Sequence, residues 1–200
     1  SSSSAASDVY KRQRAICPAG TAFLSPRFEA YRKSSLVVMD LLRELSPLVE
    51  QVSIDEAYVD LRGADLEDLE VETVRKRLER LDADIREATG GLTASAGAAT
   101  SKMLAKIGSD LDKPNGITIV APGEEKSVLK PMNVRAISGV GPATAARLRT
   151  FGVETVGDLR RMTDTDLVTW PALRRLEDVA AWYLSFVVSD PDEARKRART

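Results

Sequence analysis

The sequence predicts an α+β protein: strands and helices alternate over its first two thirds, and short helices alone fill the rest. Strand-forming runs at 52–61, 92–99 and 117–120 are separated by stretches whose apolar residues recur at helical spacing. From Asn133 the pattern changes to short helical stretches, which places a domain boundary near Pro131. With 200 residues, 43% hydrophobic and 30% charged, the composition is that of a soluble globular chain of one or two domains.

Residues 1–13 are serine-rich, carry no hydrophobic period and are set aside as a disordered or non-native segment. The first folded part spans 14–130. Ala15 to Ser25 reads as a helix end followed by a short strand, Thr21 to Leu24, closed by Pro26. Phe28, Tyr31, Val38, Met39, Leu42 and Leu45 then recur at helical spacing until Ser46-Pro47 stops them. Val71, Val74, Leu78, Leu81, Ile85 and Ala88 step by three and four into Gly90-Gly91, a second amphipathic helix with its stop signal.

Leu92 to Ala99 is small and apolar, a central strand whose Ala and Gly residues admit close approach by a neighbouring element or ligand. A helix opened by Thr100 or Ser101 follows, with Met103, Leu104, Ile107 and Leu111 as its buried stripe and Lys102 and Lys106 pointing elsewhere. Lys113-Pro114-Asn115-Gly116 is a turn, Ile117 to Val120 a short strand, and Ala121 to Pro131 a connector carrying one short helix. The second part, 131–188, holds helices around Val134 to Ile137, Pro142 to Phe151, Thr155 to Met162 and Leu173 to Val187. Residues 189–200 contain the basic run Arg195-Lys196-Arg197-Ala198-Arg199 and read as a linker.

Composition excludes several chemistries. The single Cys17 cannot form an internal disulfide, and the absence of histidine removes His-containing triads, His-bound zinc and an imidazole base. Catalysis has to use carboxylates, lysine or metal. No apolar run is long enough to span a membrane and no secretory leader is visible, so a cytoplasmic location is expected. The net charge is only −1, yet its distribution is uneven: eight acids against Arg62 between Asp55 and Glu72, and five arginines against Glu154 and Asp158 between Pro131 and Met162. One region suits cations and the other phosphates.

The acidic region centres on Val52-Ser53-Ile54-Asp55-Glu56-Ala57-Tyr58-Val59-Asp60-Leu61. Adjacent carboxylates are uncommon inside a strand, and successive side chains on a strand face opposite ways. Asp55 and Glu56 therefore serve one site only if the chain turns or bulges there, and a hairpin with the acids at its tip is expected. Two close carboxylates repel unless a cation lies between them, and hard oxygen ligands without His or Cys favour Mg²⁺. The plain alternative is an exposed acidic turn.

A second signal is Ser138-Gly139-Val140-Gly141-Pro142 between two short helices. The glycines permit a tight turn, and Pro142 begins a helix whose first amides can hold a backbone phosphate. This resembles the helix-hairpin-helix motif, and Gly139, Val140, Gly141, Thr144 and Arg147 are the candidate DNA-binding residues. A structural turn between packed helices is the alternative.

The hairpin Ser53 to Tyr58, the segment Thr93 to Gly97 with Ser101-Lys102-Met103-Leu104-Ala105-Lys106, the turn Lys113-Pro114-Asn115-Gly116 and the hairpin Gly139-Val140-Gly141 occur in this order in Y-family translesion DNA polymerases. From about Arg14 to Val187 the chain resembles the bacterial DNA polymerase IV-like branch of that family. The resemblance implies a ferredoxin-like βα palm followed by a small all-α helix-hairpin-helix thumb. It also implies that Asp55 binds the catalytic Mg²⁺, two ions in the complete enzyme, that Glu56 completes the acidic cluster, and that Lys113 contacts the incoming deoxynucleoside triphosphate. Lys102 and Lys106 are weaker candidates, since lysines on a helix face are usually solvated. The implied partners are primer-template DNA and deoxynucleoside triphosphates, with the sliding clamp as a further partner through C-terminal parts beyond this chain; a monomer is expected.

The family pattern begins with a strand bearing another metal-binding aspartate and an aromatic, followed by a fingers region with a tyrosine and an arginine on the triphosphate. This sequence lacks them, and it lacks a little-finger domain. The expectation is an internal piece of a polymerase, inactive alone. Three other readings stand beside it. A cyclic-dinucleotide cyclase would carry two glycines where Ser53-Ile54 precede the acids, and a base-excision glycosylase leaves the acidic hairpin without a role. The third is a non-catalytic DNA-binding fragment or an accessory polymerase homologue; such homologues typically lack the hairpin acids, which are intact here.

Overall fold

A computed structural model of the protein describes residues 15–18, 20–161 and 183–189, with the backbone alone at 160, 161 and 183–189. The readings for 1–13, for a helix over 173–182 and for the linker at 190–200 lie outside the described residues. The chain divides into two compact units, 1–30 and 31–200. In the first, residues 15 and 16 are helical, and the Pro18 carbonyl accepts from both the amide and the hydroxyl of Thr21, at 3.2 and 2.8 Å. Residues 21–24 form no strand, and the two donors of Thr21 turn back on Pro18.

The second unit is built on a five-stranded sheet. Its strands are β1 (Val49–Gln51), β2 (Glu56–Asp60), β3 (Thr93–Ala99), β4 (Ile117–Ile119) and β5 (Tyr183–Ser189), in the order β1-β2-β5-β3-β4. β5 runs antiparallel to both β2 and β3, whereas β3 and β4 are parallel. Residues 183–187 are thus a strand and not the end of a helix, a correction to the helical reading of Leu173 to Val187. The run Tyr183-Leu184-Ser185-Phe186-Val187-Val188 is dense in aromatic and β-branched residues, which favour a sheet. Its insertion also satisfies the backbone groups of β2 and β3 along the edges that face each other.

The principal helices are α1 (Phe28–Leu45), α2 (Val71–Thr89), α3 (Lys102–Leu111), α4 (Glu125–Leu129) and α5 (Pro142–Thr150). Strand alternation sorts the sheet into two faces. Ala57 and Val59 of β2 and Ala94, Ala96 and Ala98 of β3 meet Val38, Met39, Leu42 and Leu45 of α1 and Val74, Leu78, Leu81 and Ile85 of α2 in the main core. Phe28 and Tyr31 are exposed, so the packed stripe of α1 begins only at Ser35. The opposite face carries Glu56 and Tyr58 on β2 and Ser95, Gly97 and Ala99 on β3.

Helix α3 lies over that second face because Gly97 has no side chain. A Cβ there would stand 2.0 Å from the Ala105 carbonyl oxygen and 2.3 Å from the Ser109 nitrogen. The approach turns the small residues Ala105, Gly108 and Ser109 inward, while Leu111, expected in the buried stripe, is exposed. Ser101 caps the helix by accepting the Leu104 amide at 3.3 Å. Ser101→Ala should cost about 1 kcal/mol of stability, the usual size for a lost N-cap, as a lower urea midpoint with unchanged slope. A loss below a few tenths would mean that water caps the helix equally well.

A separate core follows the sheet. Val134, Ile137, Val140, Ala145, Leu148, Val153 and Leu159 pack together, with Met103 of α3 against them. This cluster is closed at its base where the Val134 amide reaches the Glu154 carbonyl at 3.0 Å and the Val156 amide reaches the Met132 carbonyl at 2.7 Å. The helical stretches around it are the 3-10 turns Val134–Ala136 and Val156–Arg161 and helix α5.

Candidate active site and nucleic-acid interface

The acids sit where β1 turns into β2. The Glu56 carbonyl accepts from the amides of both Val52 and Ser53, at 2.9 and 3.1 Å, so the hairpin closes with irregular pairing at residues 52–55. Asp55 is exposed in that turn, and its Oδ1 accepts from the Ser53 hydroxyl at 2.6 Å. Glu56 opens β2. The hairpin expected from the sequence is therefore present, with Asp55 ending the turn and Glu56 beginning the strand on the face that α3 covers.

Helix α3 brings its lysines to these acids. It lies over β3 and β5, and Lys102 and Lys106, one turn apart, extend beyond β5 to the β1–β2 hairpin. The Lys106 Nζ donates to Glu56 Oε1 at 2.7 Å, with only 23% of the lysine side chain exposed. Lys102 pairs with Glu50 and places its ammonium 5.5 Å from the Tyr58 ring centroid. Burial pushes the Tyr58 phenol up; Glu56 and Glu50 add to the rise and Lys106 and Lys102 oppose it. The phenol is neutral at neutral pH and is no proton acceptor there.

Lys113 joins this row through Asp110. Its Nζ lies 2.6 Å from Asp110 Oδ1, and Lys106 Nζ lies 3.9 Å from Asp110 Oδ2. The turn after Lys113 is fixed to the sheet: Asn115, in the left-handed region at φ 63°, donates its amide to the buried Ser95 hydroxyl at 2.9 Å. Glu56 of β2, Lys106 and Asp110 of α3 and Lys113 just beyond it thus form a row of alternating charge. Sequence reasoning ranked Lys106 low and passed over Asp110. The available signal was that lysines at i and i+4, then Asp110 and Lys113, share the polar side of a helix that follows a strand of small residues.

Among the described residues no three His, Cys, Asp or Glu side chains converge as a ready metal cage. Two hard carboxylates at a hairpin do fit Mg²⁺ in the manner in which it is commonly held, by one or two carboxylates with substrate phosphates and water completing the shell.

Gly139, Val140 and Gly141 form the turn that leads into α5, and Thr144 and Arg147 lie on that helix. Gly139 adopts φ 92°, which a side chain would strain. Val140 contributes only through the turn, since its side chain is buried and its amide donates to the Ile137 carbonyl at 3.0 Å. Gly141 is exposed, and a Cβ built on it meets nothing within 4 Å. Pro142 starts α5 with no side-chain cap on its first turn. Thr144 is half-buried in that turn and Arg147 lies exposed further along the helix. Arg135 is exposed on the preceding 3-10 turn.

The structure is thus an α+β sheet whose hairpin glutamate meets a lysine of the helix laid across it, followed by a glycine turn into a short helix. The chain belongs to the impB/mucB/samB family, whose model matches residues 6–110. It is 52% identical over 148 residues to a DNA polymerase IV of Streptomyces coelicolor, covering 74% of this chain and 30% of that protein. It is 40% identical over 184 residues to a DNA polymerase IV of Caulobacter vibrioides, covering 90% of this chain and 44% of that one. Among solved structures it resembles an insertion ternary complex of Dbh DNA polymerase, with a TM-score of 0.71, 27% identity and coverage of 84% of this chain and 53% of that chain. DinB from Sulfolobus solfataricus matches at a TM-score of 0.70 and 26% identity, over 84% and 53%. The chain spans less than half the length of the two curated relatives. No helix among the described residues is long and apolar enough to cross a membrane.

Proposed function

We propose that this chain carries the hairpin acids and the DNA-gripping turn of an error-prone translesion DNA polymerase, which adds deoxynucleotides from their triphosphates to a primer on a template strand in the cytoplasm. The observation that carries this reading is the contact between Glu56 and Lys106, fifty residues apart, which gathers a hairpin acid for a cation and, through Asp110, two lysines for phosphates. A purely DNA-binding role leaves that gathering unexplained.

Asp55 and Glu56 are the residues to hold Mg²⁺, two ions in the complete enzyme. When bound, the metal supplies activation of the primer hydroxyl and charge stabilisation at the triphosphate. The chain's own side chains do the rest of the electrostatic work near the triphosphate. Lys113, steadied by Asp110, meets the phosphates as a point charge, and Ser53 orients Asp55 through the 2.6 Å hydrogen bond. Gly141 and the opening amides of α5 hold a DNA phosphate without reading bases.

The hairpin's part is tested by Gly141→Thr. Threonine serves as an N-cap about as well as glycine, and its Cβ has open space in the free protein, so the fold should be undisturbed. Binding to a short DNA duplex should weaken by about tenfold at low salt, as expected when close approach to a phosphate is blocked, and its salt slope should shrink. Equal affinity and slope for the two proteins across several salt concentrations would reduce the hairpin to a structural turn.

A further inference from the structure

We propose that Lys106 is a partner-switching positioning residue: it is the counter-ion of Glu56 in the substrate-free protein and moves to the triphosphate when metal takes over the carboxylate. The inference rests on the nucleotidyl-transfer reading of this site and adds to it a role for a residue between the acids and Lys113.

Three observations support it. First, Lys106 Nζ lies 2.7 Å from Glu56 Oε1, with 23% of the lysine and 36% of the glutamate side chain exposed, so water screens this contact less than a pair on the open surface. Next to Asp55, a bare Glu56 would repel its neighbour, and the ammonium offsets that charge. Second, a divalent cation on Glu56 would stand close to the same ammonium, and in a partly shielded site the two like charges weaken each other's hold on the carboxylate. Third, Lys106 already leans toward a second anionic position. Asp110 lies 3.9 Å from it and holds Lys113 at 2.6 Å, so both lysines share one carboxylate. A triphosphate arriving at Lys113 offers Lys106 the new partner that the metal obliges it to find.

The exchange makes predictions of opposite sign for one substitution. In a polymerase that carries these residues and has the length of its relatives, Lys106→Gln should tighten binding of Mn²⁺ alone by about threefold, because a competitor for Glu56 is gone. The same variant should weaken binding of the Mg²⁺ complex of dCTP by about fivefold, because a phosphate ligand is gone. Lys106→Arg should restore nucleotide binding toward the original. Mn²⁺ affinity is read from water-proton relaxation and nucleotide affinity from calorimetry, with no turnover involved. If both affinities rise, Lys106 only competes; if both fall or neither moves, it is structural; each of these results overturns the proposal. If the unaltered polymerase of that length binds neither Mn²⁺ nor the nucleotide complex, the nucleotidyl-transfer reading itself fails and takes this one with it.

Discussion

Glu56→Gln, placed in a polymerase that carries these residues and has the length of its relatives, should lower single-turnover nucleotide incorporation by roughly a thousandfold while leaving DNA affinity nearly unchanged. The amide has the shape of the carboxylate but not its charge. Charge is what the site requires while metal and phosphate charges rearrange in the transition state, and losing one such stabilising group commonly costs about a hundredfold to a thousandfold. The substitution also loosens the Lys106 contact, since a neutral amide attracts an ammonium far less. An acid that merely decorated an exposed turn would behave otherwise, with incorporation intact and stability shifted by less than about 0.5 kcal/mol. Single-turnover rates measured beside DNA affinity separate the cases, and an unimpaired rate removes Glu56 from the chemistry.

The largest effect on the fold is expected from Gly97→Val. Even the first added carbon would stand 2.0 Å from the Ala105 carbonyl oxygen and 2.3 Å from the Ser109 nitrogen. Those atoms are helix backbone, so relief demands that the whole of α3 lift from β3. Overpacking of a core typically costs 1–3 kcal/mol, and a clash with backbone belongs at about 3 kcal/mol or above. That is a large part of the stability of an ordinary domain. Because Lys102, Lys106 and Asp110 ride on α3, the variant should also lose the lysine contacts to Glu50 and Glu56. Urea unfolding gives the stability change. A midpoint within error of the original would show that α3 does not depend on the close approach.

Much of the candidate site was legible because its residue types break local rules. Asp and Glu in a run of strand formers demand a turn, and β1 and β2 do form a hairpin around them. Glycines flanking Val140 before a proline demand a tight helix entry, and Gly139 and Gly141 with α5 supply it. Lys106 breaks no rule. A lysine on a helix exterior looks the same in sequence whether it meets water or a glutamate fifty residues away, and only the packing of α3 across the sheet distinguishes the two.

Local chain chemistry is enough for the α+β composition, the buried faces of α1 from Val38 onward and of α2, and the positions of the acidic and glycine turns. These follow from periodicity and turn chemistry within a few residues. Tertiary structure decided what depends on distant partners. Tyr183 to Ser189 is a strand because β2 and β3 present the backbone edges that it completes, not because its own pattern excluded a helix. Thr21 to Leu24 forms no strand, with the amide and hydroxyl of Thr21 bonded back to Pro18. The polar side of α3 became part of a site only when Gly97 let that helix settle against the sheet, within reach of Glu56.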